Sequence, residues 1–134
     1  MGDMDMKLEL VPLPVTDVDR AKAFYVDQVG FGVDVDVRPT DGLRIVQLTP
    51  PGSACSFLLS TGVQWVQDMA PGSVHGVHLV VNDIEAARAE LIGKGVDVGS
   101  VDDVGGGVKY ASFSDPDGNL LLLQEMPWRT GDAF

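Results

Sequence analysis

The sequence predicts an α+β fold built from two tandem βαβββ modules that pack together and can enclose a cavity. Two marker segments occur twice: residues 11–17 (VPLPVTD) return as 77–83 (VHLVVND), and 50–53 (PPGS) return as 115–118 (DPDG). The two pairs are separated by almost the same length of chain, as expected for a duplicated module. Each half is too small to bury its own sheet, so we expect the halves to share a core.

The first module, over residues 7–61, is predicted to contain a strand, a helix and three further strands. Pro12 places the first strand, residues 7–13, at a sheet edge or a bulge, because proline cannot donate a ladder hydrogen bond. Thr16 is predicted to cap the helix and Gly30 to end it. The helix has an apolar face of Val18, Ala21, Phe24, Tyr25 and Val29. The remaining strands are predicted at residues 33–37, 43–49 and 55–60.

A linker over residues 62–74 leads to the second module, residues 75–126, which repeats the same order before a tail, residues 127–134. Asn82 and Glu85 predict a capping box at the start of the second helix. The buried face of that helix is predicted to consist of Ile84, Ala87, Leu91 and Ile92. Strands are predicted at 75–81, 96–101, 109–114 and 119–125, with a flexible turn at 105–107.

Composition and charge exclude several classes of function. The 134 residues carry a net charge of −11, which disfavours binding to nucleic acid, and which fits either solubility or a cavity for a cationic ligand. No apolar run approaches the roughly 20 residues that a membrane span needs, so no membrane partner is expected. The single cysteine, Cys55, allows no disulfide within the chain, which indicates a cytoplasmic protein.

Four motifs lie at characteristic spacing along nearly the whole chain: residues 15–21 (VTDVDRA), 24–25 (FY), 30–31 (GF) and 114–119 (SDPDGN). Together they resemble the vicinal oxygen chelate superfamily, which includes glyoxalase I, extradiol dioxygenases and bleomycin-resistance proteins. The resemblance implies a curved, half-open barrel around a cavity, and a homodimer.

The resemblance also implies four metal-ligand positions, and none of them carries a suitable side chain here. They fall at Leu10, Phe57, Gly76 and Leu122, none of which offers a nitrogen or oxygen lone pair to a divalent metal. We therefore expect no metal and no other cofactor. Activity of the glyoxalase I type is disfavoured for the same reason.

The cavity wall is predicted from the alternation of side chains along each strand. If Gly76 and Leu122 face the cavity, His78 and Gln124 should face it as well. Cys55, Phe57 and Leu59 would face it from the first module. His78 is the candidate acid or base, with a core histidine as the alternative. The predicted ligand-contacting set is Leu10, Cys55, Phe57, Trp65, Gly76, His78, Leu122, Gln124 and Trp128, the two tryptophans either covering the cavity mouth or capping the core.

These observations lead to a first hypothesis and two alternatives. The protein is expected to bind a small organic molecule without metal, either to sequester it or to catalyse isomerisation, cyclisation or lyase chemistry through His78. The main alternative is a metal-dependent lyase or dioxygenase with ligands shifted to Glu9, His78 and Glu125. The other is a dimerisation module with a collapsed cavity.

Overall fold

The computed structural model describes residues 4–131 and 134, and it contains two four-stranded mixed sheets with few helices. The strands of the first sheet are β1 Leu10–Pro12, β2 Gly32–Thr40, β3 Leu43–Thr49 and β4 Ser56–Thr61. Those of the second sheet are β5 His75–Val80, β6 Asp102–Gly105, β7 Val108–Ser114 and β8 Leu120–Glu125. The helices are α1 Val18–Ala23, continued by a π-helical turn Phe24–Val29, then α2 Gln64–Gln67 and α3 Ile84–Gly93.

The two sheets have the same connectivity, which confirms the predicted duplication. Their orders are β1-β4-β3-β2 and β5-β8-β7-β6, with one parallel pair in each, β1 with β4 and β5 with β8. Pro12 lies in an edge strand, as predicted. The predicted α+β class with two βαβββ modules is therefore confirmed. No helix in the described part of the chain is long and apolar enough to span a membrane.

The helix caps differ from the prediction by one residue. Asp17 and Asp83, rather than Thr16 and Asn82, are the N-cap residues, and each carboxylate accepts a hydrogen bond from the backbone N–H three residues later. The Thr16 hydroxyl instead donates to Asp117 in the second module, at 2.7 Å. The Thr16 side chain, which the local pattern predicts as the cap, thus bonds to a residue that is distant in the chain.

The segment after α3 also departs from the prediction. Residues 96–101 form no strand, and the outer strand of the second sheet is Asp102–Gly105. Val96 and Val98 are buried in the core, and the Arg88 guanidinium donates to two carbonyl oxygens of this segment. These contacts hold the segment against α3, so the strand begins only at Asp102.

Two smaller differences complete the comparison of the helices. The linker contains the short helix Gln64–Gln67, which its lack of periodicity did not predict. Ile92 was expected on the buried face of α3, but it is 45% exposed. At this end of α3 the neighbouring residue Leu91 points into the core instead.

One hydrophobic core joins the two modules, and it lies against the helix-bearing face of each sheet. From the first sheet it takes Val46, Leu48, Phe57 and Leu59, and from the second Ala111, Phe113, Leu121 and Leu123. Phe24 from the π-helical turn packs on Phe113 across the modules. The opposite face of each sheet, here called its open face, lies outside this core.

A buried hydrogen-bond network fastens the modules together at what we call the first joint, where residues 14–17 meet 115–119. The Tyr25 hydroxyl donates to the Asp115 carboxylate at 2.8 Å. The Asn119 amide donates to that carboxylate at 2.8 Å and to the Pro14 carbonyl at 3.0 Å. Burial and the Asp115 charge raise the pKa of Tyr25, so its hydroxyl keeps the proton that it donates.

An ion-pair cluster beside α1 gives the fold a testable dependence on pH. Arg44 is buried on β3 and donates to both carboxylate oxygens of Asp36, at 3.1 Å each, while Lys22 donates to the same group at 2.7 Å. Hydrogen bonds from Arg44 and Lys22 hold the pKa of Asp36 well below its ordinary value of 3.8. Asp36 therefore stabilises the fold above that pH, and the contribution is lost as the pH falls below it.

We expect Asp36→Asn to lower the free energy of unfolding at pH 7 by about 1–2 kcal/mol, an amount limited by solvent screening of this partly exposed pair. The difference from the parent should shrink as the pH is lowered through 3.8. Urea titrations at pH 7, 5 and 3 measure it. Asp27→Asn, at an exposed carboxylate on the π-helical turn, is the control and should show no such trend. A pH-independent loss in D36N would contradict the electrostatic account.

Candidate functional site

The open face of the second sheet carries a histidine, a tyrosine and a glutamine side by side. On β8, Leu121 and Leu123 point into the core, so the alternate residues Leu122 and Gln124 lie on the open face. Cross-strand pairing then places His78 of β5 beside Leu122, and Tyr110 of β7 beside Gln124. Three strands thus bring these side chains together.

The three polar side chains form a connected cluster. The His78 ring stands edge-on to the Tyr110 ring, with centroids 5.7 Å apart and an interplanar angle of 87°. The Gln124 amide donates to the Tyr110 hydroxyl oxygen at 3.1 Å. Nδ1 of His78 lies 2.6 Å from the Gly76 carbonyl oxygen. We call His78, Tyr110 and Gln124 the polar cluster.

These contacts determine what the polar cluster can offer a ligand. Because a carbonyl only accepts, Nδ1 of His78 carries the proton toward Gly76, which leaves Nε2 of a neutral ring as an acceptor. Because the Tyr110 oxygen accepts from Gln124, its own O–H remains able to donate. A bound molecule with both a hydroxyl and a carbonyl group could therefore be held from two sides.

The structure places His78, Gln124 and Leu122 on the open face of the second sheet, as the strand alternation predicted. His78 is exposed, so the alternative of a core histidine is wrong. Leu10 lies on the open face of the first sheet, next to Ser56. Gly76, with φ +98°, lies at an irregularity in the pairing of β5 with β8.

Phe57 and Leu59 lie on the helix side, in the core, and not on the open face where the repeat spacing had placed them. The reason is the connection before β4, which is one residue longer than its counterpart before β8. Leu48 pairs with Phe57 in the first module, and Phe113 pairs with Leu121 in the second. The distance along the chain between equivalent residues is therefore one residue shorter for the pair β4 and β8 than for the pair β3 and β7. A shift of one residue along a strand exchanges its two faces. Leu58, not Phe57, is the counterpart of Leu122.

The remaining predicted contacts lie apart from the polar cluster. Cys55 is half-buried at the entrance to β4, with its sulfur 3.7 Å from the Ser56 carbonyl oxygen. Trp65 on α2 and Trp128 in the tail are 59% and 62% exposed, so neither caps the core.

Two features of the open faces were missed from the sequence. Tyr110 was missed because its place beside His78 and Gln124 depends on the register of the β7–β8 hairpin. On the first sheet, the hydroxyl groups of Thr49 and Ser56 lie 2.7 Å apart, and both donate to the carboxylate of Asp34. Asp34 sits at an irregularity between β2 and β3, which a strictly alternating pattern does not reveal.

The donor set does not fit a metal ion at the positions that the fold suggests. The side chains at Leu10, Leu58, Gly76 and Leu122 offer no ligating atom. The shifted set fails as well, because the Glu125 carboxylate accepts the Ile84 backbone N–H at 2.9 Å, at the start of α3 and on the side away from His78. Within residues 4–131 and 134, no three His, Cys, Asp or Glu side chains form a group that could hold a metal.

Comparison with known proteins gives a family match over most of the chain. The model of the Glyoxalase/Bleomycin resistance protein/Dioxygenase superfamily matches residues 7–123. No similar sequence is found among curated proteins.

Solved structures with the same fold cover nearly the whole chain. TnmS3, an antibiotic-binding protein from Streptomyces sp. CB03234, is 37% identical over 91% of this chain and 97% of its own, with a TM-score of 0.79. A glyoxalase/bleomycin resistance protein from the same source is 38% identical, over 87% and 98% of the two chains, with a TM-score of 0.73. A superfamily member from Sphaerobacter thermophilus DSM 20745 is 28% identical, over 90% and 98%, with a TM-score of 0.78.

Proposed function

The chain belongs to the glyoxalase/bleomycin resistance protein/dioxygenase superfamily, and we propose that it binds and sequesters a small organic molecule on its open sheet faces without a metal ion. The observation that carries this proposal is the polar cluster, in which His78 Nε2 can accept and the Tyr110 hydroxyl can donate, beside the apolar side chain of Leu122. A few oriented polar groups on an apolar wall are typical of a small-molecule site.

The similarity to TnmS3 supports the same proposal, because that protein is an antibiotic-binding protein and shares 37% of its residues with this chain. An antibiotic or a compound of similar size is therefore the class of ligand that we propose. The identity of the ligand depends on side chains from several strands, so it does not follow from the similarity to TnmS3.

Sequestration fits the polar cluster better than catalysis does. A general base usually has a partner that stabilises its charged form, such as a carboxylate on the second ring nitrogen. Here the partner of His78 is the neutral carbonyl of Gly76, and the other members of the cluster are uncharged. We therefore assign His78 to hydrogen bonding with the ligand, and metal-free isomerase or lyase chemistry through His78 is the second candidate.

We propose further that the functional unit is a homodimer. In one chain the helix-bearing faces of both sheets are used by the shared core, which leaves both open faces without a covering layer from that core. A second copy could lay the open face of its first sheet over the polar cluster and so enclose a ligand. Sedimentation equilibrium against the chain mass of 14.2 kDa tests this pairing.

The binding proposal is tested with isothermal titration calorimetry and a panel of aromatic antibiotics that includes bleomycin. We expect at least one compound to bind in the micromolar range, and Tyr110→Phe and His78→Ala each to weaken it about five- to tenfold, the value of one hydrogen bond. His75→Ala is the matched control, since His75 is also exposed on β5 but lies outside the polar cluster.

Two outcomes would contradict this proposal. One is that no compound binds to a protein that is folded by circular dichroism. The other is that H78A unfolds while Y110F binds like the parent, which would make His78 a structural residue. Near-stoichiometric zinc, nickel, manganese or iron in protein purified without chelator would contradict the metal-free part alone.

A further inference from the structure

The modules meet a second time at the place that the internal repeat makes equivalent to the first joint. There, residues 79–81 of the second module lie opposite residues 50–53 of the first, and we call this the second joint. In the described part of the chain, no hydrogen bond crosses the second joint, whereas several cross the first. Of the two equivalent joints, only one is thus fastened by hydrogen bonds.

The sequence explains this difference. The repeat that relates Asp17 to Asp83 puts Leu91 in the place of Tyr25, and the repeat of the turn segments puts Pro50 in the place of Asp115. The hydroxyl-to-carboxylate bond of the first joint therefore has no counterpart. Leucine and proline side chains have no polar atom with which to close the gap.

The second joint is open, and two hollows lie along it. One has a volume of about 530 Å³ and the other about 320 Å³, and both are bounded by Pro50, Pro51, Leu79 and Val80. The two hollows share these walls, and together we call them the joint groove. In the smaller hollow the apolar wall also includes Phe31, Leu91 and Leu123.

Basic side chains lie at both ends of the joint groove. Arg129 lines the larger hollow, which also includes His78 of the polar cluster, and Lys94 lines the smaller hollow at α3. Among the described lining residues the one acidic side chain is that of Glu90, whose carboxylate oxygen is 3.8 Å from the Lys94 ammonium. Positive ends on an apolar groove contrast with a chain whose net charge is −11. The complementary ligand is an anion with an apolar body.

We propose that the joint groove is a second binding site, for small amphipathic carboxylic acids. The apolar body lies against Pro51, Leu79 and Val80, where burial of its surface drives binding. The carboxylate pairs with Arg129 or Lys94 at an end of the groove, and the arginine guanidinium can grip it with two parallel hydrogen bonds. Phe134 also lines both hollows, so a ligand would contact or displace it.

The test uses naphthalene-2-carboxylate and its neutral analogue naphthalene-2-carboxamide, titrated into the isotopically labelled full chain and followed by amide chemical shifts. We expect the carboxylate to shift the amide signals of residues 79–81, Gly52 and Ser53, and to bind at least fivefold more tightly than the carboxamide. The double variant Arg129→Gln, Lys94→Gln should abolish this preference. Arg38→Gln, at an exposed arginine on β2, is the matched control.

Three results would overturn the proposal: equal binding of the two compounds, shifts confined to Tyr110 and Gln124, or a preference that survives the double variant. Tyr110→Phe separates this site from the one proposed above. It should leave naphthalene-2-carboxylate binding unchanged while weakening the antibiotic ligand, so either site can fail without the other.

Discussion

Asn119→Ala should lower the free energy of unfolding by about 2–4 kcal/mol, because it removes the central group of the first joint. Asn119 is fully buried, and its amide donates to Asp115 and Pro14 while its carbonyl accepts the Val74 backbone N–H at 3.1 Å. Without it, a buried carboxylate, a buried carbonyl and a backbone N–H lose partners at once. Urea denaturation followed by circular dichroism measures the change.

Asn82→Ala is the matched control for this prediction, since Asn82 is the other asparagine of the chain and is exposed before α3. It should change the stability by no more than about 0.5 kcal/mol. Equal effects of the two substitutions would mean that the first joint contributes little. Tyr25→Phe removes a single bond of the same network and should fall between them, at about 1–2 kcal/mol.

Gly72→Ala should destabilise the fold by about 3 kcal/mol or more, through a clash and through backbone strain together. Gly72 has φ +77°, and a Cβ there would meet the carbonyl oxygen of Asp117 at a distance that real Cβ atoms do not reach. Its N–H also donates to the Pro14 carbonyl at 3.0 Å, so the backbone cannot move away without breaking the first joint.

Gly52→Ala separates the two causes of this effect. Gly52 has a similar φ of +83°, but an added Cβ would meet no atom within 4 Å. Only the left-handed backbone should then contribute, at about 1–2 kcal/mol. Thermal unfolding of both variants gives the difference. If G72A were no less stable than G52A, the close packing of the linker against the second module would be contradicted.

The site could be predicted from the sequence only in part. Alternation along β5 and β8 was sufficient to put His78 and Gln124 on one face, because that period is local to each strand. Tyr110 could not be predicted as a site residue, since its neighbours His78 and Gln124 come from two other strands. Phe57 was assigned to the wrong face because the repeat spacing changes by one residue in the connection before β4.

The sequence by itself determined the duplication, the order of strands and helices in each module and the edge position of Pro12. With the family resemblance it also gave the absence of a ligating side chain at Leu10, Gly76 and Leu122. These properties follow from turn residues, local periodicity and residue chemistry, which need no knowledge of distant contacts. The tertiary structure alone decided that Thr16 and the Asp-Pro-Asp-Gly-Asn segment fasten the two modules, and that the equivalent second joint stays open. Those outcomes depend on contacts between side chains that are about 100 residues apart in the chain. Packing of the shared core determines which of these side chains come into contact.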